Sequence, residues 1–322
     1  MVATKFADVI QPDLFAQYVI DKTTEKSEIM NAGVVENNAE LNRLITGGGT
    51  ILTMPKWNDL GGKSQVLDDT NPITVNNITS KSELATLLIR ANAWGAHELA
   101  GALAGDDPMK AIAERVADWW VRDEKYNIMS ILNGVFASAS MSNLVKDITG
   151  ETDTKISANA VLDAKQLMGD ASDLLTMIYM HSATFTELQK QNVIQFIPIS
   201  ESKITIPTYL GYRVVCDDSA PVDTSGSTPK YTTYLLARGA IQRGMGTPAT
   251  LTSVETDRDS LGSTDYLINR QAKVLHPKGI SWIGGANITG PTPSDTELAT
   301  GTNWNRVSDI KKIGMVKLVH TL

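Results

Sequence analysis

One stretch limits the fold more than any other. From Asp107 to Ser138 the chain reads DPMKAIAERVADWWVRDEKYNIMSILNGVFAS. Asp107 is a good N-cap, and Pro108 suits the first helical position, where its missing N–H costs nothing. Met109, Ile112, Val116 and Trp120 fall on one stripe at helical spacing, and Ile128, Leu132 and Val135 continue an apolar face. Asp118 lies four residues before Arg122 on the outer face, a supportive pair. A helix from Pro108 to about Ser138 is roughly 45 Å long at about 1.5 Å per residue. That is long for a compact domain and predicts a spine with other elements packed along it. Trp119 and Trp120 point about 100° apart on such a helix, so they serve two packing surfaces better than one ligand platform.

The segment before the spine reads as a long hairpin. Gly47-Gly48-Gly49 punctuates the chain, and Thr50 to Met54 is a strand-like run closed by Pro55. A polar stretch, WNDLGGKSQVLDDTNP, follows. Ile73-Thr74-Val75 and Ile78-Thr79 have strand character, and Glu83 to Ile89 is mixed. These arms are too polar to form a core alone, and an isolated hairpin is marginal, so a neighbouring surface is expected beneath it. Gly61-Gly62-Lys63-Ser64 ends as a nucleotide-binding P-loop ends, but Trp57 stands where the first glycine belongs. Asp68, Asp69 and Pro72 follow where phosphate-binding backbone should open a helix. The motif fails on sequence and on context.

Residues 1–46 read as an arm: a short helix near DLFAQYVIDKTTEKSEI, then NAGVVENNAELN, which loses all periodicity. Beyond the spine the texture alternates between helix and strand. Ser157 caps a helix carrying Val161, Leu162, Leu167 and Met168 that stops at Gly169. Leu174 to Met180 reads as a buried strand. Thr184 and Glu187 have capping-box spacing for a short helix, FTELQKQN. Further strands are expected at Ile204–Ile206, Tyr212–Cys216, Tyr231–Ala237, Asp265–Leu275 and Ile280–Ile283. A polar loop spans Asp217 to Lys230, and a last strand covers Met315–Val319.

Composition excludes more than it assigns. A hydrophobic share of 42% and a charged share of 20% over 322 residues mark an ordinary globular chain. The net charge of −7 argues against a general nucleic-acid-binding surface. The single cysteine, Cys216, leaves no intramolecular disulfide and fits a reducing compartment. No apolar run approaches membrane-spanning length, and the N-terminus lacks a signal-peptide core. His97, His181, His276 and His320 lie at no metal spacing. His181-Ser182 is placed like a nucleophile elbow without its glycines, and helix capping accounts for Ser182. The carboxylates Asp217 and Asp218 disfavour a thiolate at Cys216. Asp257, Arg258 and Asp259 form a charged knot better suited to ion pairs across an interface than to a metal. No catalytic residue, metal or cofactor is expected.

The order of parts is informative: helical arm, polar hairpin, spine helix, α/β unit, return into strands. It resembles the major capsid proteins of tailed bacteriophages, which share the HK97-type fold. TILTMPKWNDLGGKSQVLDDTNPITVNNITSKSELATLL is similar to their extended loop, and DDPMKAIAERVADWWVRDEKYNIMSILNGVF to their spine helix. LLTMIYMHSATFTELQKQN with YLGYRVVCDDSAP is similar to their axial-domain core, and VETDRD and VLHPKGISW to their late peripheral strands. The resemblance implies an α+β fold with an arm (1–46), an extended β-hairpin loop (47–92) and a peripheral domain with the spine (93–150). An axial domain (151–240) and a return to the peripheral domain (241–322) complete it. It implies a coat subunit that assembles through pentamers and hexamers into an icosahedral shell around double-stranded DNA. Such a subunit is made in the host bacterial cytoplasm and ends in the virion, with no membrane. Because the sequence starts at the arm, scaffolding is expected from a separate protein, beside portal and decoration proteins. Candidate inter-subunit contacts are Lys56, Trp57, Asp59, Lys63, Asp68, Asp69, Arg115, Arg122, Asp257, Arg258 and Asp259. The alternatives are an encapsulin-type compartment shell and an α/β enzyme using the His181 and Cys216 region.

Overall fold

The computed structural model describes residues 33–66, 73–99, 108–191, 193–198 and 205–322. Its first elements are β1 (Val35–Asn37), α1 (Ala39–Thr46), β2 (Ile51–Trp57), β3 (Ser80–Thr86), β4 (Leu88–His97) and the spine α2 (Pro108–Ala137). Then come β5 (Val145–Asp147), α3 (Ala158–Gln166), β6 (Leu175–Met180), α4 (Ser182–Lys190), β7 (Gln195–Pro198), β8 (Thr205–Tyr209) and β9 (Tyr212–Cys216). The chain continues through β10 (Val222–Asp223), β11 (Lys230–Ala237), β12 (Ile241–Gly246), β13 (Val254–Asp259), β14 (Thr264–Pro277) and β15 (Ile280–Trp282). It closes with α5 (Asp295–Leu298), β16 (Trp304–Arg306) and β17 (Met315–His320).

Two sheets carry the architecture. One is five-stranded, in order β1-β12-β14-β13, with β4 along the other side of β14. The second is eight-stranded, in order β5-β17-β11-β6-β9-β8-β7, with β10 added to β11. Its centre is apolar on both faces: β6 and β11 are buried through most of their length, as continuous apolar strand runs require.

The spine starts and ends where its sequence says. The proposed cap Asp107 lies outside the described residues. Met109, Val116 and Trp120 pack with Val254 and Leu267 of the five-stranded sheet. Ile128, Leu132 and Val135 enter the main core with residues of β6, β11 and β17. One helix thus joins two cores. Ser157 caps α3 as expected, its hydroxyl accepting from Ala160 N; Leu162, however, faces outward.

Several local expectations need correction. The hairpin strand runs through Pro55 to Trp57, paired residue for residue with β3; in a two-stranded ribbon a missing N–H can face the free edge. Leu52 and Met54 alternate inward, onto Leu41 and Ile45 of α1 and Val274 of β14. The root of the hairpin is therefore core, and Ile73–Thr79 has no strand structure. The stretch read as aperiodic contains β1 and the first half of α1, the latter capped by the Asn38 side chain on Glu40 N. Leu41 and Ile45, four apart, were its signal. Helix α4 begins at Ser182, capped by His181 Nδ1 accepting from Ala183 N at 3.0 Å; Thr184, the expected cap, is buried inside it. The true capping box is Ser294 with Glu297, at the start of α5.

His320 closes the last strand inside the core. Its Nδ1 donates to Thr321 O at 3.1 Å and its Nε2 accepts from Thr233 Oγ1 at 3.0 Å. Burial lowers its pKa from 6.5 to about 4, against the pull of the Thr321 carbonyl. A folded pKa below the unfolded one means that the unfolded chain binds the proton first. Stability from this site is therefore full above about pH 6.5 and is lost as the pH falls toward 4, on the order of 3 kcal/mol in all. An NMR titration should find the His320 ring neutral at pH 5.5; a pKa above 6 would contradict this.

Candidate inter-subunit surfaces

The hairpin root is fixed by a buried carboxylate. Glu83 of β3 is fully covered and takes four donors: Lys56 Nζ at 2.7 Å, Ser308 Oγ at 3.1 Å, His276 Nε2 at 3.2 Å and Gly279 N at 3.3 Å. Burial would raise this carboxyl, but the hydrogen bonds from His276 and Lys56, with the Lys56 charge, prevail and hold it at about 2. Burial keeps the His276 ring below its usual range, so it donates as a neutral imidazole. Leu84 N donates to Ser281 Oγ at 3.1 Å and Lys81 Nζ to Val307 O at 3.2 Å. The ribbon is thereby pinned to the strands around β15.

Beyond this root the chain projects. Trp57, Leu60, Val66, Ile73, Val75 and Ile78 are all exposed, Trp57 at 71% and Val66 at 90%. Gln65 clasps the returning chain, accepting from Thr74 N at 2.7 Å and donating to Thr74 O at 2.9 Å. A loop held in shape while presenting this many large apolar side chains has the composition of a binding surface. Sequence reading stressed its charges; the structure adds this exposed apolar set.

The expected contact residues differ in how their own chain engages them. Lys56 is engaged inside the chain by Glu83, and Asp59 sits 3.6 Å from Lys312. Trp57 and Lys63 face solvent on the loop, and Asp68 and Asp69 lie outside the described residues. Arg115 and Arg122 are exposed on α2. They flank a groove of about 440 Å³ whose other walls are Trp94, Ile112, Val116 and Trp119. Asp257, Arg258 and Asp259 are exposed on β13. Arg258 pairs with Glu98 at 2.6 Å and Asp265 at 3.6 Å, not with its neighbouring aspartates.

The residues that sequence reading missed are the fasteners of the spine. Three consecutive side chains leave α2 in three directions. Asp123 meets Lys273 of β14 at 2.8 Å, Glu124 grips Arg243 of β12 through two bonds of 2.6 and 2.9 Å, and Lys125 meets Asp217 at 2.6 Å. Glu124 and Arg243 are almost wholly buried. A signal existed: Glu124 stands midway between Trp120 and Ile128 on the apolar stripe, where a carboxylate needs a partner.

The His181 and Cys216 region has the wrong wiring for nucleophilic catalysis. His181 Nδ1 is occupied by Ala183 N, so the ring carries its proton on Nε2, which faces Asp218 Oδ1 at 3.7 Å. A base for Ser182 would need that nitrogen free. No cluster of three metal-ligating side chains occurs among the described residues.

These surfaces belong to a known kind of molecule. The family model described as major capsid protein 13-like matches residues 107–315. The major capsid protein of Bacillus phage SPP1 is 45% identical over 325 residues, covering 100% of this chain and 99% of that protein. The chain belongs to the major capsid protein 13-like family. Solved structures agree on the fold. The capsid of Ralstonia phage GP4 matches with a TM-score of 0.59 at 9% identity, covering 91% of this chain and 88% of that one. The capsid of cyanophage Pam1 matches at 0.59 and 12% identity, covering 93% and 92%. The fold is thus the α+β, HK97-type capsid fold, and the chain is a phage coat subunit of the virion, assembled in many copies, rather than a compartment shell. None of the described helices is long and apolar enough to cross a membrane.

Proposed function

We propose that this capsid protein closes an icosahedral shell through pentamers and hexamers, with the loop from Trp57 to Thr79 lying across the adjacent subunit. The observation that carries the reading is the loop itself: a firmly rooted projection whose six large apolar side chains stand exposed among the described residues. Many such contacts, each modest, become effectively irreversible in a closed lattice, because neighbours bind at high effective concentration.

In this reading the arm is 1–46 and the extended loop 47–92. The peripheral domain comprises 93–150 and the return from 241, and the axial domain comprises 151–240. Strand β17 pairs within the eight-stranded sheet, so we assign 315–320 to the axial unit. Trp57, Lys63, Asp68, Asp69, Arg115, Arg122, Asp257 and Asp259 are proposed contacts between subunits; Lys56 and Arg258 support them from within. A net charge of −7 suits a wall that confines double-stranded DNA without holding it tightly. We assign the chain no catalytic role and no cofactor. Separate scaffolding, portal and decoration proteins are its proposed partners. Electron microscopy and sedimentation of the chain, expressed with its scaffolding partner, test the reading. Closed shells are expected. A chain that stays monomeric under those conditions would overturn it.

A further inference from the structure

We propose that the β13–β14 hairpin tip of one copy seats in the β4–α2 groove of the next. Leu261 enters between Trp94, Ile112 and Trp119, and the tip carboxylates meet Arg115 and Arg122. This pairing rests on the shell reading and names two surfaces that would join within it.

The tip is a built knob. Leu261 is 99% exposed, yet its turn is held by local bonds. Leu261 N donates to Asp259 Oδ1 at 3.0 Å, Thr264 Oγ1 to Gly262 O at 3.1 Å, and Glu98 N to Ser263 O at 2.9 Å. A large apolar side chain presented on an ordered turn loses little entropy on docking. Around it stand Asp257, Asp259, Glu98 and Asp265 against one cation, Arg258, so the knob is acidic.

The groove is its complement. Trp94, Ile112, Val116 and Trp119 make an apolar trough, and Trp94 is ordered edge-on against Trp119 at 5.4 Å. Neither Arg115 nor Arg122 has a carboxylate partner among the described residues. Guanidinium groups beside an aromatic trough favour an acidic, apolar occupant.

Within one chain the two do not meet, since Leu261 is fully exposed. Both lie toward the same end of the five-stranded sheet. Trp94 pairs with Leu267, while the tip closes at Thr264, whose other neighbour is His97. Copies meeting at this end about a rotation axis can each place a tip in the next groove. Such a heterologous contact closes a ring.

The test is cross-linking in assembled shells. In a Cys216→Ser background, Leu261→Cys and Ile112→Cys are combined, shells are purified and oxidised, and products are separated without reductant. Covalent oligomers are expected from the double variant and none from either single one. Monomers only, from intact shells, would overturn the pairing while leaving the shell reading standing; a parent that never forms shells would overturn both. A second arm needs no cysteine. Arg122→Asp and Asp257→Arg should each cut shell yield about tenfold, and their combination should restore it; failure of the rescue counts against the pairing.

Discussion

Gly134→Ala should destabilise this protein by roughly 3 kcal/mol, although alanine in a helix interior ordinarily gains about 1 kcal/mol over glycine. The reason is the tail. A Cβ at Gly134 would fall on the Leu298 carbonyl oxygen and stand 2.7 Å from Trp304 Nε1. Those two atoms are already joined by a 2.7 Å hydrogen bond, and Trp304 is locked edge-on against Trp282 at 5.0 Å. Gly301 makes the reciprocal approach, so close to the Ala137 carbonyl and Ser138 N that no side chain fits there. The turn between α5 and β16 thus lies directly on the helix backbone, and neither side can retreat cheaply from backbone atoms. Gly150→Ala, where nothing stands within 4 Å and φ is negative, should be near neutral. Urea titration of both variants decides the matter. Equal stability of G134A and the parent would mean that this contact is not made.

Arg243→Ala should cost about 3–5 kcal/mol, because it strands the Glu124 carboxylate in the core with no partner. The pair spans 119 positions of sequence and joins the spine to β12, so its loss should loosen the helix from the five-stranded sheet. The double variant Glu124→Gln with Arg243→Met removes both charges and should recover much of the loss, since what costs most is the unpaired ion. Thermal unfolding of the parent, Glu124→Gln, Arg243→Met and their combination forms a complete cycle. Additive losses, with no recovery, would show that packing and not charge governs this site.

What could be read from sequence followed from what is local. The spine needed only its own spacing and its proline, and the central strands of the larger sheet announced themselves as apolar runs such as Leu175–Met180. The short helix α1 was passed over because eight residues hold a single pair of inward positions, Leu41 and Ile45. Helix α4 was given the wrong cap because serine and threonine outrank histidine as caps in general, whereas here the His181 ring nitrogen already faces Ala183 N. A surface beneath the hairpin was expected but could not be named, because the partners of its root, Leu41, Val274 and the bond of Glu83 to Ser308, are remote in the chain. The contact residues posed a different problem. A side chain that meets another copy leaves no trace in its own chain's core, so Trp57, Arg115 and Asp259 could be named by segment only. Exposure, once seen, moved the emphasis from the loop's charges to its apolar residues.

The loop's role is the centre of the account, and excising it is the most direct measurement. A chain with residues 58–79 replaced by a two-residue Asn-Gly turn keeps Trp57 opposite Ser80, and with it the whole buried root. It should fold with unchanged melting temperature. Electron microscopy of this chain, expressed beside the parent and with the same scaffolding partner, should show closed shells for the parent and only small oligomers or monomers for the excised form. Closed shells of normal size and yield from the excised chain would contradict the claim that this loop binds the lattice together.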